Sequence, residues 1–208
     1  MARGRFIALE GGEGVGKSTQ LKALAELLEK RGIRVVLTRE PGGSEGAEAI
    51  RQLLLQGEEK RWNPRAEALL FAAARSDHVE KTIKPALERG DWVISDRFLD
   101  SSLAYQGEAG GLGIARVRDI HEFGSEDFLP DRTLVLALDS SEGVLRAKHR
   151  DGETDRIGGR SPAYHGAVLS GFKRLAEKEP GRVKLIDASG NAATVTARLM
   201  AAIADLIP

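Results

Sequence analysis

Residues 5–10 (RFIALE) form a short apolar run that stops at Gly11, and beyond Ser18 the residues Leu21, Leu24, Leu27 and Leu28 recur at helical spacing. This predicts strand, glycine loop, helix, with the helix over 18–30. Gly32 is a helix stop, and the β-branched run 33–38 (IRVVLT) predicts a second strand. A loop over 39–44 carries Pro41, Gly42 and Gly43, and a helix is predicted over 46–55. Asn63-Pro64 reads as an N-cap followed by proline at the first helical position, opening a long helix that Pro85 is predicted to kink or end. After Gly90 come three further strand patterns, 92–95 (WVIS), 134–138 (LVLAL) and 183–186 (VKLI). Five strands alternating with helices predict an α/β fold, a mostly parallel five-stranded sheet with helices on both faces and ligands outside the carboxyl ends of the strands. The glycine-bearing stretches 107–113 and 150–161 read as mobile loops, not linkers, so residues 1–208 are expected to form one domain.

Composition narrows the function classes. The chain has 208 residues, 41% of them hydrophobic, and no cysteine. A chain of this size buries roughly 70% of its unfolded surface, so it needs no disulfide or zinc staple. Lys+Arg and Asp+Glu both number 31, and the net charge of zero lacks the global basic field of a protein that coats nucleic acid. An anionic ligand must therefore be met by local charge. The apolar runs fall short of the ~18 residues of a membrane helix, and Arg3 and Arg5 lie in a start with no signal-peptide core. The expectation is a cytoplasmic protein with no membrane or nucleic-acid partner.

Gly11-Gly12-Glu13-Gly14-Val15-Gly16-Lys17-Ser18 fits G-x-x-x-x-G-K-[ST] and lies between the first predicted strand and helix, as a phosphate-binding loop requires. Its glycines let backbone N–H groups face phosphate oxygens and the helix N-terminus adds positive charge. Lys17 reaches the β and γ phosphates, and the Ser18 hydroxyl can ligate Mg²⁺. A glycine turn that matches the pattern by chance is the alternative. No N-K-x-D guanine-reading motif is present, and motor ATPases are usually larger, so the size points to a nucleotide kinase.

Further motifs follow in order: Thr38-Arg39-Glu40-Pro41-Gly42-Gly43, Leu70-Phe71-Ala72-Ala73-Ala74-Arg75-Ser76-Asp77-His78, Asp96-Arg97-Phe98 with Ser101, Ala104-Tyr105-Gln106-Gly107, Leu129-Pro130-Asp131 and Asp155-Arg156-Ile157. With the phosphate loop, extended by Glu10 and Thr19, they make the chain resemble the bacterial type of thymidylate kinase over essentially its whole length. Phe71, Arg75 and His78 lie at i, i+4 and i+7 and share a helix face, where an aromatic ring and a guanidinium can stack on and bond a pyrimidine. A core Phe beside a surface Arg is the alternative, and the resemblance implies thymine stacking on Phe71 with its carbonyl edge on Arg75. Asp96-Arg97 follows a buried strand, at the ligand edge of the sheet. It is either a structural ion pair or, as the resemblance implies, an Arg97 fork on the acceptor phosphate beside an Asp96 that holds Mg²⁺ through water. The resemblance also implies that Ser101, Tyr105 and Gln106 line the thymidine pocket and that Glu13, a carboxylate out of place beside triphosphate, contacts the 3′-hydroxyl. Arg39 is read as a further contact to the acceptor phosphate or as a surface residue.

Phosphoryl transfer needs positive groups around the moving phosphoryl, and residues 12–15 contain no base. Arg146, Lys148, Arg150, Arg156 and Arg160 cluster in a glycine-containing stretch, readable as a solvated charge run. The resemblance implies instead a lid over about 146–161, with Arg150 and Arg156 on the transferred group and Arg146 near adenine. The chain departs from the family pattern at Gly158, where an acidic residue is common. Ser189-Gly190-Asn191 resembles the loop that packs on adenine, although Asn191 as a helix cap accounts for it as well. Together these readings imply an enzyme, an ATP:dTMP phosphotransferase of dTTP biosynthesis. The resemblance implies ATP on Gly11, Gly12, Glu13, Gly14, Val15, Gly16, Lys17, Ser18, Thr19, Arg146 and Asn191, Mg²⁺ on Ser18 and Asp96, and a homodimer. The rivals are a kinase for another nucleoside monophosphate and a non-catalytic nucleotide-binding module.

Overall fold

A computed structural model describes residues 3–138 and 156–208. Five strands, β1 (Phe6–Gly11), β2 (Val35–Arg39), β3 (Trp92–Asp96), β4 (Arg132–Ala137) and β5 (Val183–Asp187), form one all-parallel sheet in the order β2-β3-β1-β4-β5. The apolar run of β1 follows from its central place, where all six residues are buried. Alternation along it divides the core. Phe6 and Ala8 pack on one face with Val93, Val135, Phe98 and Phe172, whereas Ile7 and Leu9 pack on the other with Leu24, Leu28, Ile94, Leu136 and Leu199.

Among the described residues the α-helices are α1 (Lys17–Glu29), α2 (Glu45–Leu55), α3 (Pro64–His78), α4 (Lys84–Glu88), α5 (Leu99–Ser102), α6 (Ile114–Ser125), α7 (Pro162–Lys178) and α8 (Ala192–Ala202). Asn63 caps α3, accepting from the Ala66 N–H at 3.0 Å, with Pro64 next to it. Pro85 neither ends nor breaks the helical path. The chain passes from α3 through a π-helical turn, Val79–Ile83, into α4, and the Lys84 N–H bonds back to Val79. The wider turn just before the proline accommodates its missing donor and its ring, so helix continues to Glu88.

The expected loop at 107–113 is likewise shorter than its glycines suggest. α5 continues as a π-helix, Leu103–Ala109, and only the turn leading to α6 is irregular. Gly107 is needed for closeness rather than mobility, because a Cβ there would lie 3.3 Å from the Ile114 Cα. The Gly110 N–H donates to Tyr105 O at 2.7 Å and closes the π turn. Among the described residues no helix is long and apolar enough to cross a membrane.

Candidate active site

The loop between β1 and α1 lies at the carboxyl edge of the sheet. Gly11 has φ 134°, and a Cβ on it would sit 2.4 Å from Leu136 O of β4, so only glycine fits where the loop leaves the strand. Ser44, Asn63, Ser161 and Asn191 cap α2, α3, α7 and α8 with their side chains, but Gly16 begins α1 with φ 91° and offers none. The first N–H groups of α1 are thus free of a side-chain cap and suit an anion. The Lys17 ammonium donates to Gly12 O at 2.6 Å and Gly11 O at 3.2 Å. Burial, with the Arg97 charge adding to it, brings that ammonium down to about 8.

β3 delivers the next two charges. Asp96 ends the strand with Oδ2 3.5 Å from Ser18 Oγ, two oxygen donors of the kind that would suit a hydrated magnesium ion. Arg97 takes the left-handed conformation, φ 71°, and its backbone is fixed by the Arg97 N–H donating to Leu9 O and by Ser95 Oγ donating to Arg97 O. Its guanidinium donates to Gly11 O at 3.1 Å, Ser101 Oγ at 3.2 Å and Glu13 Oε1 at 2.5 Å, and lies over the Tyr105 ring at 5.1 Å. Below it Glu10 is fully buried. It accepts from the Phe98 and Ser101 N–H groups and from Ser101 Oγ, yet burial and nearby Asp100 push its carboxyl up to about 7.

A cleft of about 220 Å³ runs from this edge past Phe71, Arg75, Ser101, Ser102, Tyr105 and Gln106. Glu40 holds the buried end of α3, with Oε2 accepting from Arg75 Nε at 2.8 Å and Oε1 meeting His78 Nδ1 at 3.1 Å. His78 Nε2 in turn meets Thr38 Oγ1 at 2.7 Å. Arg75 Nη2 donates to Ser102 Oγ at 2.9 Å, which leaves Nη1 as a donor for which the described residues show no hydrogen bond. His78 therefore orients Arg75 through a shared carboxylate. Gln106 Nε2 donates to Glu67 Oε1 at 3.0 Å.

Arg39 and Arg51 bring positive charge to the same cleft. Arg39 pairs with Glu48 at 3.1 Å, and Arg51, which the sequence reading passed over, donates to Pro41 O at 2.6 Å. Arg51 lies three residues after Glu48 on α2, the only sequence signal it offered. Glu10 and Glu40 stand in the quoted motifs without a role and Glu67 in none, since their partners are distant in sequence.

Arg146, Lys148, Arg150 and Asp155 lie outside the described residues. Arg156 departs from the role expected of it. Its guanidinium is fully buried, with Nε donating to Leu54 O at 2.9 Å and Nη2 to Glu67 Oε2 at 2.7 Å, while its neighbour Ile157 lines the cleft. The cause is Glu67, a carboxylate 2% exposed that requires compensating charge, supplied by Arg156 and by Arg160 at 2.6 Å. Asn191 spends its Oδ1 on capping α8, accepting from the Thr194 N–H at 2.9 Å.

Comparison with known proteins shows the family. The family model for thymidylate kinase matches residues 9–199. A thymidylate kinase of Rhizorhabdus wittichii is 58% identical over 206 residues, covering 99% of each chain. One of Gluconobacter oxydans is 49% identical over 97% of this chain and 94% of its own. The crystal structure of thymidylate kinase from Ehrlichia chaffeensis superposes with a TM-score of 0.76 at 32% identity, covering 96% of this chain and 98% of that one. The five-stranded parallel sheet is that of the P-loop NTPases, and the chain belongs to the thymidylate kinase family.

Proposed function

We infer that this cleft transfers the γ-phosphate of ATP to dTMP, giving dTDP and ADP. The observation that carries the reading is the pairing of an uncapped helix N-terminus and buried lysine at one end with a fixed guanidinium donor beside Phe71 at the other. Arg75 can only donate, and Gln106, with its Nε2 committed to a carboxylate, has its carbonyl Oε1 left to accept. Thymine offers the matching acceptor, O4, next to the matching donor, N3–H. Cytosine reverses both. The two rival readings draw no support from the family match.

In this account Lys17 and the α1 N-terminus bind the triphosphate, and the Arg97 fork takes the acceptor phosphate in place of Glu13 Oε1, freeing that carboxylate for the sugar 3′-hydroxyl. Arg39 lies where it can add to the acceptor-phosphate field. Ser18 and Asp96 would hold Mg²⁺, which when bound neutralises charge on the β and γ oxygens. Lys17 is one donor to the transferred phosphoryl group, and Arg150 is the lid residue assigned to it, with Arg146 and Asn191 toward adenine, all three on the family resemblance. A parallel assay of ADP release with Lys17→Ala tests the reading, and loss of activity by orders of magnitude with an unchanged Tm is expected.

The cytoplasm, where ATP is available, is the proposed location. A homodimer belongs to the same reading, and α2, α3 and α6 each leave a large apolar side chain in solvent, Leu53, Leu69 and Phe123, the last 94% exposed. Light scattering of the wild type should give twice the chain mass, and Phe123→Asp should reduce it.

A further inference from the structure

We propose that Glu67, on α3, is a positioning residue that sets base specificity by fixing the direction of the Gln106 side-chain amide. The proposal rests on the dTMP reading above and deepens it. An amide can turn over, exchanging its donor and acceptor ends, and nothing in the glutamine itself decides which end faces a nucleobase. The partner decides. Glu67 Oε1 lies 3.0 Å from Gln106, and a carboxylate can only accept, so Nε2 must be the end that faces it. The described residues show no donor bonded to the opposite end, Oε1.

The surroundings make the choice directional. Gln106 lines the substrate cleft and also a second cavity, formed with Trp62, Arg160 and Tyr164; Glu67 lines only the second. An amide whose nitrogen is bonded to a residue of the second cavity alone has its oxygen left for the cleft. Glu67 is held in place from its other oxygen, Oε2, by Arg156 Nη2 at 2.7 Å and Arg160 Nη2 at 2.6 Å, and Arg160 is itself braced by Tyr164. Two guanidinium groups on one oxygen leave the other directed at Gln106. Glu67 thus does not touch the base; it acts through Gln106.

The test is a double-substitution cycle on the full-length enzyme with Glu67→Gln and Gln106→Leu, read as KM and kcat with dTMP and with dCMP. Glu67→Gln keeps the shape but can donate, so the Gln106 amide is free to turn. KM for dTMP should rise about tenfold, kcat should change less, and the preference for dTMP over dCMP should shrink about tenfold. In the Gln106→Leu background the same substitution should add no further KM change. Should Glu67→Gln fail to fold, the wild type alone decides the matter through its ¹⁵N side-chain amide spectrum, assigned by the signals missing in Gln106→Leu. One Gln106 amide proton should be shifted downfield and protected from exchange before any nucleotide is added. Additive KM effects, unchanged base preference, or a Gln106 amide that behaves as free glutamine in the unliganded enzyme overturns the proposal. None of these outcomes bears on whether dTMP is phosphorylated, which the wild-type assay answers separately.

Discussion

Arg97 Nη2 and Glu13 Oε1 lie 2.5 Å apart, so the fork assigned to the acceptor phosphate holds a carboxylate before any phosphate arrives. On the proposed reading, dTMP would exchange one anion for another on a preset guanidinium. Arg97→Ala should raise the Kd for dTMP by one to two orders of magnitude and leave that for thymidine, which lacks the phosphate, within about threefold, given that charge-assisted bonds contribute roughly 1.5–3 kcal/mol. Calorimetric titration with both ligands checks this, and equal losses for the two would place Arg97 on the nucleoside instead.

Lys17 sets a pH limit. Burial brings its ammonium down to about 8 in the unliganded chain, while a bound triphosphate favours the charged form. As pH rises through about 8, kcat/KM for ATP should fall, because that ratio reports the free enzyme, and kcat at saturating ATP should hold to higher pH. A kcat/KM for ATP that stays flat well above that value would contradict the assignment.

Glu10 ties stability to pH in the opposite sense from most carboxylates. Its ordinary value is 4.5 and burial with nearby Asp100 pushes it up to about 7, so the folded chain holds the proton more tightly than the unfolded one. Its contribution is full below 4.5 and is lost as pH rises through about 7, a difference of about 3 kcal/mol. The fall in Tm between pH 5 and pH 8 should be smaller in Glu10→Gln than in the wild type. An identical fall in both would show that Glu10 ionises normally.

The strands were legible because each is an apolar run between turn residues, and the phosphate loop because its chemistry is local, eight consecutive residues. The departures have physical causes of longer range. Helix continues past Pro85 because a π turn precedes the proline, and it continues through Gly107 because that glycine serves close packing against Ile114. The roles of the buried carboxylates were not legible because they lie in distant partners: Glu40 meets Arg75 across 35 residues and Glu67 meets Arg156 across 89. Nothing along the chain marks Arg156 as an anchor rather than a free lid charge.

That placement separates two arginines that look alike in sequence. Arg156→Ala removes a partner from a buried ion pair, a change that costs roughly 3–5 kcal/mol when nothing replaces it, and Arg160 on the same oxygen should hold the loss toward or below the lower figure. Its Tm should drop and its KM for dTMP rise through Glu67 and Gln106. Arg150→Ala should leave Tm unchanged and lower kcat, up to the ~10³ or more that arginine fingers contribute. Calorimetric scans beside steady-state kinetics of both variants distinguish the two roles.

The central claim is that the cleft reads thymine through the Arg75 donor and the Gln106 acceptor. It is tested most directly by ADP release from ATP with dTMP and dCMP in parallel under identical conditions. An unpaired buried polar group costs about 1–3 kcal/mol, and cytosine mismatches both contacts, so kcat/KM for dCMP should lie at least about tenfold below that for dTMP. Equal turnover of the two nucleotides would contradict the account.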